Sequence, residues 1–117
     1  MRAAGKQVLV GTEDDLATDL TDAFGSITSL ANVVPDQMVE LDRLIRSGDR
    51  EAAERLSAHL VEVSGLTRVH DSPGVLKALA QARSGVPMGT VRPPLLPPPP
   101  SYDVRAAVER LQMAAAR

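Results

Sequence analysis

Apolar residues fall into two regimes along the chain: short runs between glycines at first, then stripes at helical spacing. Val8-Leu9-Val10 is too short for a helix and rich in strand formers, which predicts a buried strand that Gly11 ends. Beyond the acidic turn Thr12-Glu13-Asp14-Asp15, Leu16, Leu20, Ala23 and Phe24 recur at helical spacing, so a short helix is expected to stop before Gly25. Ile27, Thr28 and Leu30 suit a second, enclosed strand that Asn32 closes. The opening "MRAAGKQ" reads as the frayed end of a helix, with Gly5 suited to the left-handed position past a helix C-terminus.

The rest is helical. Pro35 suits a first turn, and Met38, Leu41, Leu44 and Ile45 share one face until Gly48. Asp49 is expected to cap the next helix, with Ala53, Leu56, Leu60 and Val63 inward, Arg50, Glu51, Glu54 and Arg55 in water, and Gly65 as its stop. Ser72 and Pro73 open another, with Val75, Leu76, Leu79 and Ala80 inward and Gly85 at its end. Seven prolines between Pro87 and Pro100 then interrupt the pattern. They read either as a recognition segment for aromatic grooves or as a rigid crossing between helices, with Leu95 and Leu96 tucked against the body; the crossing is preferred because it needs no partner. Val104, Ala107, Val108 and Leu111 make a last amphipathic helix after Ser101.

Strand, helix, strand is a β-α-β unit, whose strands should run parallel with a right-handed crossover. Two parallel strands do not make a stable sheet alone, and the remaining residues supply no third. Composition narrows function mainly by exclusion. Phe24 and Tyr102 are the sole aromatics, net charge is −2, and the signs are interspersed, so neither a basic stripe nor a stacking platform for nucleic acid exists. There is no cysteine, hence no thiolate nucleophile or thiolate metal site. No apolar run approaches a membrane span or a signal peptide, so a cytoplasmic protein with no membrane partner is expected.

The order of these elements, with Gly25-Ser26-Ile27, Ala31-Asn32-Val33, the Ser72-Pro73 helix start with Lys77-Ala78, and Arg92-x-Pro94-Leu95-x-Pro97, resembles a known family. It is similar to the C-terminal part of the pyruvate-dependent class I aldolases and hydro-lyases, the family of dihydrodipicolinate synthase and N-acetylneuraminate lyase. The resemblance runs from about Val8 to Leu111. Two departures are visible: Ser72 stands where the family usually has Asn, and the helix before Gly25 is shorter than usual. The implied fold class is α/β: a partial TIM (βα) barrel, its last two strands plus a C-terminal helical domain, mostly helical by residue count. Val8 to Val10 would be barrel strand seven and Ser26 to Ser29 strand eight. The implied domains are residues 1–34, the barrel remnant with its crossover helix, and residues 35–117, the helices with their proline-rich crossing.

The resemblance also implies what these residues lack. The family's Schiff-base lysine ends strand six, its catalytic tyrosine is on strand five, and its carboxylate-binding threonine or serine pair follows strand two, all before this sequence begins. Only Lys6 and Lys77 are present; the first precedes strand seven at the wrong rim and the second lies on an outer helix, so no catalytic residue is assigned. The turn after Val10 is on the catalytic rim. There Gly11 would let a ligand approach the backbone, and Glu13 and Asp14 match acids that accept from substrate hydroxyls in the neuraminate lyase subgroup. Read without the family, Thr12 caps the short helix and Glu13, Asp14 and Asp15 complement its dipole; the two readings are compatible. Ile27 matches the position whose main-chain carbonyl faces the lysine, and Ser29 matches a strand-eight serine of the lyase subgroup. Both also read as plain strand residues.

His70 beside Asp71 has the look of a proton relay, but it and His59 are far from the mapped rim and read as structural; two histidines without a third ligand make a weak metal case. No cofactor or metal is expected. The expected protein is thus a truncated family member, inactive by itself, that takes a 2-oxo acid such as pyruvate only when another segment supplies the missing strands. Open strand edges favour self-association or a complementing chain. The competing reading is a non-catalytic helical interaction module that binds partners through helix faces or the proline segment.

Overall fold

The computed structural model describes residues 5–69 and 72–113. His70, Asp71 and the first four residues of the expected N-terminal helix end therefore lie outside the described residues. Eight short elements follow in order: β1 (Leu9–Val10), α1 (Leu16–Asp22), β2 (Gly25–Ser26), a 3-10 turn (Leu30–Asn32), α2 (Pro35–Ser47), α3 (Arg50–Ser64), α4 (Ser72–Ser84) and α5 (Val104–Met113). They group into two compact units, one ending at Glu62 and the other beginning at Val63, with the division in the last turn of α3.

In the first unit, β1 and β2 pair in parallel, Leu9 opposite Gly25 and Val10 opposite Ser26. The ladder is extended by the Phe24 N–H donating to the Val8 carbonyl at 2.8 Å and the Ile27 N–H to the Val10 carbonyl at 2.9 Å. The β-α-β unit is as expected, but three details of the sequence reading are corrected. The first strand is not buried: Val8 and Leu9 are exposed, since the described residues supply it with only one neighbouring strand. Phe24 leaves the helix, which ends at Asp22, and lies 58% exposed where its N–H joins the ladder. The second strand stops at Ser26 rather than Ser29. Ser29 is already in the right-handed helical region, and its carbonyl accepts from both the main-chain N–H of Asn32 (3.1 Å) and its side-chain Nδ2 (3.3 Å). Short polar side chains bonding to nearby backbone in this way compete with strand pairing.

The helical part follows the sequence more closely. Pro35 sits in the first turn of α2, where its missing N–H costs nothing. Gly48, at φ 79°, ends the helix in a left-handed turn: its N–H reaches the Ile45 carbonyl and that of Asp49 reaches Leu44, closing the two exposed carbonyls as a Schellman turn does. The Asp49 side chain then accepts from the Ala52 N–H at 3.2 Å, capping α3. Leu16, Leu20, Leu30, Val33, Val34, Met38, Leu41 and Leu44 are buried, α1 packing on α2 and α2 on the 3-10 turn. Exposed pairs Arg43–Glu40, Arg46–Asp42, Arg50–Glu54 and Arg55–Glu51 line the outer faces.

In the second unit α4 packs on α5, with Val75, Leu79, Ala80, Ala107 and Leu111 buried. Gly85, at φ 72°, ends α4 as expected. α5 begins after Ser101 as expected and is capped by Asp103, whose carboxylate accepts from the Ala106 N–H at 2.9 Å. The proline crossing is held differently from the sequence reading. Leu95 and Leu96 are exposed, and the anchors are Val91, which is buried, and the backbone around Leu96, which closes on Gly74 of α4 where a side chain would collide with the Leu96 carbonyl. Tyr102 pins the end of the crossing by donating its hydroxyl to the Leu66 carbonyl at 2.7 Å, and partial burial raises its pKa above the usual phenol value. The Pro93–Pro94 peptide is cis.

Candidate functional site

Parallel pairing places the segments that follow β1 and β2 at one end of the strand pair. Gly11 to Asp14 and Ile27 to Ser29 are therefore neighbours there, although 17 residues separate their nearest bonded positions. Gly11 is exposed, its backbone is not left-handed, and an added Cβ would meet nothing within 4 Å. The fold itself does not require glycine at that position, and the main chain there is open to solvent.

Glu13 is 4% exposed, and its Oε1 accepts the N–H of Leu30 at 2.8 Å. Leu30 is the first residue of the 3-10 turn, whose leading N–H groups have no partner within the turn, so a carboxylate is a suitable acceptor. Asp14 is exposed. The short helix is capped by Asp15, whose side chain accepts from the Thr18 N–H at 3.3 Å; Thr12, the expected cap, instead donates its hydroxyl to Asp19 at 3.2 Å. Asp15 can cap where Thr12 cannot because it immediately precedes Leu16, three residues from the N–H it accepts.

On the other segment, Ile27 gives its N–H to Val10 and leaves its side chain 71% exposed, contrary to the enclosed position expected of it. Ser29 is partly buried and turns its carbonyl to Asn32. Between them Thr28 is buried with a hydroxyl that has no hydrogen-bond partner, a feature the reading as a plain strand residue did not anticipate.

Two clefts in this unit lie elsewhere. One, of about 280 Å³, is lined by Ala17, Thr18, Thr21, Ile45, Arg50 and Ala53 among others. The other, of about 330 Å³, is formed by residues that precede the strands, Lys6, Val8 and Phe24 with Arg46 and Asp22. Neither contains any of Gly11, Glu13, Asp14, Ile27 or Ser29. Lys6 is thus at the opposite end of the strand pair from the acidic turn. Lys77 is committed to structure in the second unit, where its Nζ donates to the carbonyls of Met88 (3.3 Å) and Thr90 (3.0 Å) and ties the start of the crossing to α4. Among the described residues no three His, Asp or Glu side chains gather as a metal site, and no helix is long and apolar enough to cross a membrane. His59 is half-buried on α3.

A parallel strand pair with an acidic turn at its C-terminal end, followed by four helices and a proline crossing, describes part of an aldolase-type fold. Residues 5–112 match the Dihydrodipicolinate synthetase family, and the chain belongs to it. Among solved structures it is similar to 2-keto-3-deoxygluconate aldolase of Sulfolobus solfataricus, at 21% identity and a TM-score of 0.82 over 97% of this chain. The similar structures include an engineered variant of that aldolase, its complex with D-KDPG, and a further variant in complex with L-2-keto,3-deoxy-galactonate. The chain spans 39% of the length of that aldolase. This likeness establishes the fold of a mostly helical chain that matches part of the aldolase.

Proposed function

We propose that these 117 residues are the closing portion of a Schiff-base lyase that makes or breaks a carbon–carbon bond in a 2-oxo acid such as pyruvate. On this reading β1 and β2 are barrel strands seven and eight. The reactive lysine, the catalytic tyrosine and the carboxylate-binding hydroxyls come from strands that precede them, in the same polypeptide or in a complementing one. Gly11, Asp14, Ile27 and Ser29 line the pocket opposite that lysine, the open backbone at Gly11 admitting the 2-oxo acid. By themselves the 117 residues form no Schiff base.

The observation that carries this reading is the uncovered strand pair. Leu9 is 50% exposed, and Phe24 and Ile27, which flank β2, more so, and among the described residues the two strands pair only with each other. Parallel strands are otherwise found covered on both faces, so this surface suits six further strands and their helices. Co-expression with a polypeptide carrying strands one to six of a family member tests it. A stable complex in which Leu9 and Phe24 become protected from solvent is expected. Failure of the two to associate, with both folded, would count against the proposal. A second reading, a helical module that binds partners through the proline crossing, is favoured by its exposed leucines, chiefly Leu96, which is 62% exposed. Partner binding that survives Leu96→Ser undiminished would remove it.

A further inference from the structure

The parallel ladder does not end at its last backbone bond. Ile27 donates to Val10, and three residues further along each segment Leu30 donates to the Glu13 carboxylate, with the same offset of 17 residues. A side chain thus links the two segments a second time, after the backbone ladder has ended. The segment from Ile27 to Leu30 is consequently tethered to the β1 side at both ends, and between its two tethers stand the carbonyls of Ile27 and Ser29. Glu13 is nearly inaccessible and Leu30 fully buried, so the tie is shielded from the water that would compete for it.

We propose that Glu13 is a positioning residue, which sets the main chain of residues 27–30 on the rim, and that it is not the acid that meets substrate; among the acids of the turn that place falls to Asp14, which is exposed. The proposal rests on the functional reading above for the word rim, while the tie itself does not. Two features support it: the depth of Glu13 and the geometry of its bond to Leu30 at 2.8 Å. Specificity toward a polyhydroxylated 2-oxo acid then depends on Asp14, and the placing of the carbonyls depends on Glu13.

Amide hydrogen exchange on the 117-residue chain tests the tie directly. In Glu13→Ala the Leu30 amide should exchange at least roughly tenfold faster, whereas Glu13→Gln, whose amide oxygen still accepts, should keep most of the protection. Asp14→Ala should leave it unchanged. Equal exchange of Leu30 in the wild type and in Glu13→Ala, with the chain still folded, overturns the tie. The role is tested in the completed barrel by steady-state kinetics on pyruvate plus a short aldehyde and plus a polyhydroxylated one. Glu13→Ala should lower kcat on both, with rescue by Glu13→Gln, and Asp14→Ala should raise KM more for the hydroxylated aldehyde than for the short one. A Glu13→Gln loss confined to the hydroxylated aldehyde would make Glu13 a substrate ligand and sink the assignment. If the wild-type barrel forms no adduct at all, the functional reading fails, and the exchange result still decides whether Glu13 holds Leu30.

Discussion

Leu41 and Leu9 are the same residue in the same compact unit, and they meet opposite environments. Leu41 on α2 is fully buried, and Leu9 on β1 is half exposed. A helix satisfies its backbone internally and needs only a neighbour against one stripe, which α1 and the 3-10 turn supply to α2. A parallel strand needs partners at both edges and cover on both faces, and the described residues supply one partner. The helices therefore complete their own packing, whereas the strand pair presents unfinished surface.

That contrast can be broken experimentally. Leu41→Ala should destabilise the chain by about 2 to 5 kcal/mol in urea titration, the usual cost of emptying a buried leucine site. A loss below about 0.5 kcal/mol would mean the helical packing is not closed. Next in size is Gly74→Ala. In an ordinary helix this change is stabilising, but here the new methyl meets the Leu96 carbonyl, so a loss of about 1 to 3 kcal/mol is expected, and a gain would show that the crossing is not seated on α4.

Tyr102→Phe removes the bond to Leu66 and should cost about 1 kcal/mol near neutral pH. Its pH dependence has a definite sign. Burial raises the folded-state pKa of Tyr102, so the unfolded chain loses its proton first as pH rises past about 10, and stability falls as pH climbs through the folded value. Chemical denaturation between neutral pH and pH 11 should show this decline in the wild type and a shallower one in Tyr102→Phe. The smallest effect belongs to the open surface: Leu9→Thr should change stability by no more than about 0.5 kcal/mol in these 117 residues, yet weaken association with a polypeptide carrying strands one to six.

What was legible in the sequence follows the same division. Pro35, Gly48, Asp49 and Gly85 act through backbone rules that operate within a few residues, and each start or stop they mark is found where the pattern puts it. The motifs around Gly25-Ser26-Ile27 and Arg92-x-Pro94 were enough to identify the family to which the chain belongs. Phe24, Ile27, Leu95 and Leu96 were misplaced because an apolar residue's burial depends on what covers it, and periodicity does not contain that information. Glu13 reads from the sequence as a substrate-binding acid or a complement to the helix dipole, since nothing local reveals that its acceptor atoms meet an N–H 17 residues away. Lys77 likewise looked like a surface cation until the fold brought the Met88 and Thr90 carbonyls to it.

The central claim is that these residues close a Schiff-base barrel without providing its lysine. Borohydride reduction in the presence of pyruvate, followed by peptide mass mapping, tests it most directly. The account predicts no adduct on the isolated 117-residue chain and, in the complex with strands one to six, a single adduct on a lysine of the complementing polypeptide. A pyruvyl adduct on Lys6 or Lys77, or a folded complex that traps none, would contradict it.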